Sequence, residues 1–402
     1  MAKKYIFMTG KYMPSPGATG VCMHALAKCL ANQGEDVTTI CYEDNSGKNV
    51  IDGVKVSRIN APSYFFDKQY QSKLEQIKDV WSSRLMKLLH MNKYPLRSNK
   101  LLKAYKNTCI ELLEGVSRED VTIIASYTPL EAVASLIEIK KKLPKVKVVY
   151  YSADTLSNEQ GNNGLLSPEK REKMGRKWEH SIFDVCDLIL VMECHKEHYF
   201  GDEFRGYNEK MQLVNFPLLN EPSHKCVESK KTIVYAGTLL RYLRNPQFTC
   251  NILLQVLPDV DYEAVFMGSG DCDDIVSNAV EKSNGKMKFL GMQPYAVASE
   301  YIASAGVLLS IGNAESPMAP SKIYEYMATG KPIIHFYTWD KDPCLEPLRK
   351  YGNALIIKSG NKNTRQEIIE FLKMHQTMSF ECVQDRFESS TPQYTVRVLR
   401  NE

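Results

Sequence analysis

Short apolar runs alternate with stretches of helical periodicity along most of this chain. Tyr5–Met8 reads as a first buried strand, and Pro14-Ser15-Pro16-Gly17-Ala18-Thr19-Gly20 follows it as a loop. From Val21 to Gln33 the pattern is helical, with Leu26 and Leu30 on one face and Gly34 as a stop. Val37–Tyr42 is a second strand, so the chain opens on a βαβ unit. The unit recurs: strands at Val121–Ala125, Val146–Tyr151 and Leu188–Met192 alternate with helices at Leu130–Lys142 and Lys170–Val185. Strands that are apolar throughout, separated by helices, predict a parallel sheet covered on both faces.

The alternation restarts after a polar stretch, Asn220–Lys231, which reads as a linker. Strands are predicted at Thr232–Tyr235, Tyr262–Met267, Lys288–Leu290, Gly306–Ile311 and Pro332–Phe336. Helices are predicted at Gln247–Leu257, Asp274–Lys282, Tyr295–Ala303 and Lys322–Ala328. A chain of 402 residues exceeds one comfortable core, so two domains are expected. The boundaries read as 1–221 and 222–385, with a tail, 386–402, that crosses back to the first domain. The fold class is α/β: two Rossmann-like, doubly wound domains facing across a cleft that holds the active site.

Composition narrows the function. The net charge of +4 is too small to argue for nucleic acid, and none is expected as a partner. The apolar run after Met1-Ala2-Lys3-Lys4 is too short for a signal peptide, and no window approaches a membrane span. A cytoplasmic protein is therefore expected. The eleven cysteines are scattered without a C-x-x-C pair and read as core residues and thiols.

Open α/β sheets bind ligands at the carboxyl ends of their strands, and three candidate segments stand there. In Gly17-Ala18-Thr19-Gly20, Gly17 and Gly20 let backbone N–H groups approach an anion at a helix start; the alternative is a tight turn that binds nothing. Tyr235-Ala236-Gly237-Thr238-Leu239 leads to Arg241, Arg244, Asn245 and Pro246, and an arginine there can grip a diphosphate. The third segment is Pro320-Ser321-Lys322-Ile323-Tyr324-Glu325-Tyr326-Met327-Ala328-Thr329-Gly330-Lys331-Pro332. Ser321 reads as an N-cap, the following N–H groups and Lys322 as facing phosphate, and Glu325, one turn on, as accepting from both hydroxyls of a ribose. The competing reading is a capped amphipathic helix with a solvated Glu.

Taken together, these three segments resemble glycosyltransferase family 4, and the resemblance covers essentially the whole chain. It implies the GT-B fold, with the acceptor on the N-terminal domain and a nucleotide sugar, UDP- or GDP-linked, on the C-terminal one. It also implies sugar transfer with retention, no metal and no cofactor beyond the donor itself. Glu325 matches the second Glu of the family's E-x7-E pattern. Where the first Glu should stand this chain has Pro317, and nearby Glu315 is the candidate substitute. Arg244 falls where the family usually has a phosphate-binding Lys, and Thr238 replaces its companion Arg. Lys322 is the candidate for the missing cation. Asp154, after the strand ending at Tyr151, is the candidate acceptor or sugar contact. Arg244, Lys322 and Asp154 form the expected catalytic set; Gly17, Gly20, Gly237, Thr238, Ser321, Glu325 and Glu315 complete the donor site.

Two motifs read as decoys. Asp271-Cys272-Asp273-Asp274 fits a loop and helix cap better than a metal site, and Cys194-His195-x-x-His198 lacks a second ligand pair. The remaining feature is a charge run. Between Lys68 and Asn107, ten Lys and Arg stand against Glu75 and Asp79, which leaves +8 there and −4 elsewhere. Leu74, Ile77, Trp81, Leu85 and Leu88 share one helical face. A basic amphipathic helix with a Trp suits an anionic membrane surface; the alternative is a helix packed on its own domain. The expected protein is a bacterial-type glycosyltransferase peripheral at the inner face of the plasma membrane, with a lipid-linked saccharide acceptor, in cell-surface polysaccharide assembly. The alternatives are a nucleotide-sugar 2-epimerase of the same fold and a two-domain small-molecule binding protein.

Overall fold

The structure, a computed structural model, describes residues 2–14, 16–43, 47–65, 73–89, 91–157, 166–221, 230–315, 320–374 and 376–402. Pro317 and the core of the expected linker lie outside them. The chain divides into two compact units, Met1–Asn215 with Pro392–Glu402, and Phe216–Thr391.

The first unit runs β1 (Lys4–Met8), α1 (Ala18–Asn32), β2 (Asp36–Glu43), β3 (Gly47–Ile51), β4 (Val54–Asn60), α2 (Lys73–Leu89), α3 (Asn99–Glu111), β5 (Val121–Ser126), α4 (Leu130–Lys142), β6 (Lys147–Ser152), α5 (Pro168–Val185), β7 (Leu188–Met192), α6 (Lys196–Tyr199) and β8 (Met211–Val214). Its sheet has the order β3-β4-β2-β1-β5-β6-β7-β8. Every pairing is parallel except the β3–β4 hairpin. Runs such as Leu-Ile-Leu-Val-Met in β7 are buried along their whole length, as a sheet covered on both faces requires. The hairpin was not expected.

The second unit runs β9 (Thr232–Ala236), α7 (Gln247–Val256), β10 (Glu263–Met267), α8 (Asp273–Lys282), β11 (Met287–Phe289), α9 (Tyr295–Ser304), β12 (Val307–Ile311), α10 (Lys322–Ala328), β13 (Ile333–Tyr337), α11 (Leu345–Tyr351), β14 (Ala354–Lys358), α12 (Thr364–Met374) and α13 (Phe380–Arg386). Its sheet is wholly parallel, in the order β11-β10-β9-β12-β13-β14. That order reverses between β9 and β12, the doubly wound arrangement whose crevice takes ligands at the carboxyl ends of those two strands.

A last helix, α14 (Pro392–Arg400), belongs to the first unit and packs on α1. Val396 and Leu399 are buried there, and Arg400 pairs with Glu35 at 2.5 Å while Lys147 donates to the Leu399 carbonyl.

Candidate donor site of the second unit

The loops after β9 and β10 run side by side. Gly237 N–H donates to the Met267 carbonyl at 2.9 Å and Leu239 N–H to Ser269 at 3.1 Å. Gly268 sits at φ +148, and a Cβ on it would lie 1.8 Å from the Gly237 carbonyl oxygen. Gly268→Ala therefore overpacks a backbone contact and strains the backbone at once. It is expected to cost about 2–4 kcal/mol in a urea unfolding titration; a loss below about 0.5 kcal/mol would mean that the two loops are not held together.

Arg244 follows on the β9 side and reaches across the reversal of strand order. Its Nε and one terminal nitrogen donate to Asn313 Oδ1 at 3.1 and 2.7 Å, and the other to the Thr238 carbonyl at 3.1 Å. Asn313 lies two residues past the end of β12 and is buried. The guanidinium plane is thus set by one loop from each of the two switch-point strands. Sequence reasoning missed Asn313, although the rule that singled out Arg244, a polar residue just past a strand end, applies to it equally.

A second group forms at α10. Lys322 Nζ is 2.8 Å from Glu325 Oε2, and the Tyr295 hydroxyl donates to Glu325 Oε1 at 3.0 Å. The same ammonium lies 5.2 Å from the Tyr295 ring centroid. Helical spacing of three residues brings Lys322 and Glu325 onto one face. Buried Tyr326 anchors α10: its hydroxyl accepts from Ala236 N–H at 2.9 Å and donates to the Ala236 carbonyl at 3.3 Å. Burial pushes the Tyr235 and Tyr326 phenols up, so both act as neutral hydrogen-bonding groups. The Arg244 group and the α10 group are therefore both tied to the end of β9, one through Thr238 and one through Ala236.

Other expected residues fall differently. Ser321 occupies the cap position of α10, but its backbone is already helical and its side chain makes no capping hydrogen bond, which corrects the expected N-cap. Glu315 is exposed, at φ +45. Arg241 is taken up by the acidic run: its side chain pairs with Asp274 and its N–H donates to Asp271 Oδ1 at 2.8 Å.

In the first unit, α1 starts at Ala18 rather than Val21, so Gly20 lies in the helix and not in the loop. A Cβ there would meet the Lys11 carbonyl oxygen at 2.1 Å, a packing reason for glycine. Gly17 is exposed at the cap, with nothing near its Cβ position. Asp154 stands two residues past β6, and its carbonyl accepts from Tyr150 and Ser152. Buried Glu179 fixes the next turn by accepting from Leu156 and Ser157 N–H at 2.9 and 3.2 Å. His195 Nε2 is 3.1 Å from the Ala153 carbonyl, and His198 Nε2 is 3.0 Å from Ser157 Oγ, so the Cys194–His198 spacing serves this packing. Burial lowers His195 to about 4.

No family model and no curated protein matches the sequence. Solved structures do match its fold. Sucrose-phosphate synthase from Thermosynechococcus elongatus superposes with a TM-score of 0.63 at 13% identity, over 99% of this chain and 98% of its own. The UDP-forming α,α-trehalose-phosphate synthase from Burkholderia xenovorans, in complex with glucose-6-phosphate, gives 0.62 at 11%, over 100% and 99%. The lipopolysaccharide outer core galactosyltransferase WaaB gives 0.51 at 11%, over 99% of both chains. The chain has the GT-B fold. Its two Rossmann-like units, each on a mainly parallel sheet, agree with the α/β fold class read from the sequence.

Proposed function

We propose that this protein is a family 4 glycosyltransferase that moves a sugar from a UDP- or GDP-linked donor to a lipid-linked saccharide, with retention, in cell-surface polysaccharide assembly. The observation that carries the reading is the Arg244 guanidinium, oriented by Asn313 and Thr238 at the switch point of the second sheet. Three of its N–H donors serve that orientation, and a guanidinium so held suits a diphosphate. Glu325 takes the ribose in this reading. A carboxylate has about four acceptor sites, so two ribose hydroxyls can add to the bonds from Tyr295 and Lys322. Gly237 and Thr238 border the diphosphate, Ser321 and Lys322 lie at the start of α10, and Glu315 stands in for the family's first Glu. Gly17 and Asp154 are assigned to the sugar and acceptor. The fold neighbours, which include a UDP-forming synthase and a galactosyltransferase, point the same way.

The proposed step breaks the bond between the anomeric carbon and the diphosphate oxygen and forms one to the acceptor hydroxyl oxygen on the same face. The acceptor proton passes to the departing diphosphate, whose growing charge Arg244 and Lys322 stabilise. A thermal-shift screen against UDP, GDP and their common sugar conjugates tests the assignment. A nucleotide at a hundredfold its dissociation constant adds roughly 2.7 kcal/mol, which raises the Tm by about 5–10 °C in a domain of this size. No response to any nucleotide would sink the reading; interconversion of the sugar without an acceptor would favour the epimerase.

Support for membrane contact comes from α2. Ile77, Val80, Trp81, Leu85 and Leu88 are all exposed, Trp81 at 67%. No helix among the described residues is long and apolar enough to cross a membrane. The charge run is not all available, however. Arg97 stacks on Tyr64 and Phe65 and donates to the Tyr64 carbonyl, Lys106 pairs with Glu138, and α3 buries Leu101, Leu102 and Tyr105 in the core. Each remaining basic residue near an anionic surface contributes on the order of 1 kcal/mol. Changing Lys87, Lys93 and Lys100 to Glu is expected to release the protein from anionic vesicles in a flotation assay. An unmodified protein that stays in solution with such vesicles at low salt would show that the apolar stripe serves something else.

A further inference from the structure

The segment that carries Asn313 rests on a second cluster of reactive side chains, which the proposed transfer does not use. His335 is the third residue of β13, and Asp342 and Cys344 lie on the turn ahead of α11. All three are buried, and one ligand atom from each falls within 4.8 Å of the others. Two polar atoms inside the cluster make no hydrogen bond: His335 Nε2 and Asp342 Oδ2, which face each other at 3.4 Å. Their companions are tied down. His335 Nδ1 is 2.9 Å from Ser310 Oγ on the neighbouring strand, and Asp342 Oδ1 accepts from Cys344 N–H at 2.8 Å. Gly312 makes the approach possible, because a Cβ there would stand 1.8 Å from Asp342 Oδ2.

Burying a carboxylate and an imidazole nitrogen with no bond between them is costly. The Cys344 thiol belongs to the same cluster. We propose that His335, Asp342 and Cys344 hold a structural zinc ion. The set is that of zinc: one nitrogen, one oxygen and one sulfur, with the outer nitrogen of the imidazole and the outer oxygen of the carboxylate already fixed by hydrogen bonds. A carboxylate and a thiolate balance the dication with the imidazole neutral. Ligand atoms around a tetrahedral zinc stand about 3.3–3.8 Å apart, so small side-chain shifts close the trio around an ion. The ion would clamp the turn before α11 to β13 and to Gly312, the residue before Asn313. It is a positioning element, shut off from the donor.

The test is metal content, which does not depend on what reaction the protein catalyses. The untagged full chain, made in zinc-supplemented medium and gel-filtered, is expected to carry roughly one zinc per chain by mass spectrometry. Asp342→Asn, Cys344→Ser and Gly312→Ala should lose it. Cys194→Ser and Cys382→Ser, at the two partly exposed thiols among the described residues, should keep it. Cobalt(II) in place of zinc should give a thiolate charge-transfer band that Cys344→Ser abolishes. A chelator strong enough to strip the ion should lower the Tm, and added zinc should restore it. A folded, unmodified protein that carries no zinc and whose Tm ignores both zinc and chelator overturns the proposal and leaves a buried ion pair. That measurement stands even where a variant fails to fold.

Discussion

Replacing Glu325 with Ala is expected to lower kcat/KM for the donor by roughly ten- to a thousandfold. A hydrogen bond to a charged group contributes about 1.5–3 kcal/mol, and the carboxylate is assigned two from the ribose. Affinity for the free nucleotide should fall as well, because product and donor share the ribose. Acceptor binding should barely change, since the acceptor is assigned to the other unit. The variant has a small stability cost that a solvated Glu would not have. Glu325 is only 18% exposed and carries Lys322 and the Tyr295 hydroxyl. Losing a partly exposed pair and one hydrogen bond costs about 1 kcal/mol. Glu325→Gln keeps an acceptor for Tyr295 and for one ribose hydroxyl but frees Lys322, so it should fall between wild type and Ala. A folded Glu325→Ala protein with normal nucleotide affinity would show that the donor sits elsewhere.

The parts of the fold that could be read in the sequence were those with an unmixed signal. β7 was read with both its ends because Leu188–Met192 is apolar throughout and buried throughout. α4 and α10 were likewise read with both their ends. The β3–β4 hairpin was missed. β4 alternates, as Val-Lys-Val-Ser-Arg-Ile-Asn, and its turn is Asp52-Gly53, both at positive φ. That Asp-Gly pair was a readable hairpin signal. β14 and the helices around it, α11 to α13, carry no comparably clear signal in the sequence. Ala354–Lys358 is a short run with only Ile357 well buried, too weak to separate from a helix segment.

The site divides the same way. Arg244 and Glu325 could be found because each stands beside a strand end or on a helix face that the sequence defines. Their partners come from the fold. Asn313 is 69 residues from Arg244, Tyr295 is 30 from Glu325, and Tyr326 joins Ala236 across 90. Gly20 shows the opposite error, where a glycine read as a phosphate contact has a sufficient reason in the backbone it packs against. A sequence motif locates a candidate group, and the contacts decide whether that group is oriented.

Orientation is what makes Arg244 the second large expected effect. Removing a fixed donor aimed at developing charge typically costs about a hundred- to a thousandfold in kcat, and Arg244→Ala should lose that much. Most of the loss should appear in kcat rather than KM, because the leaving diphosphate gains charge as the sugar departs. Arg244→Lys restores the charge but not the fork. One ammonium cannot hold Asn313 Oδ1 and the Thr238 carbonyl while presenting two parallel N–H groups to a diphosphate. It should recover a tenfold at most. Asn313→Ala separates charge from orientation. The guanidinium keeps its charge and its bond to Thr238 but loses both bonds to Asn313, so kcat should fall about tenfold, a loss near 1.4 kcal/mol. The order wild type, Asn313→Ala, Arg244→Lys, Arg244→Ala is therefore expected in kcat with the donor saturating. If Arg244→Ala folds and turns over within threefold of wild type, the guanidinium at the switch point is a structural tie between two loops, and the diphosphate is bound by other groups.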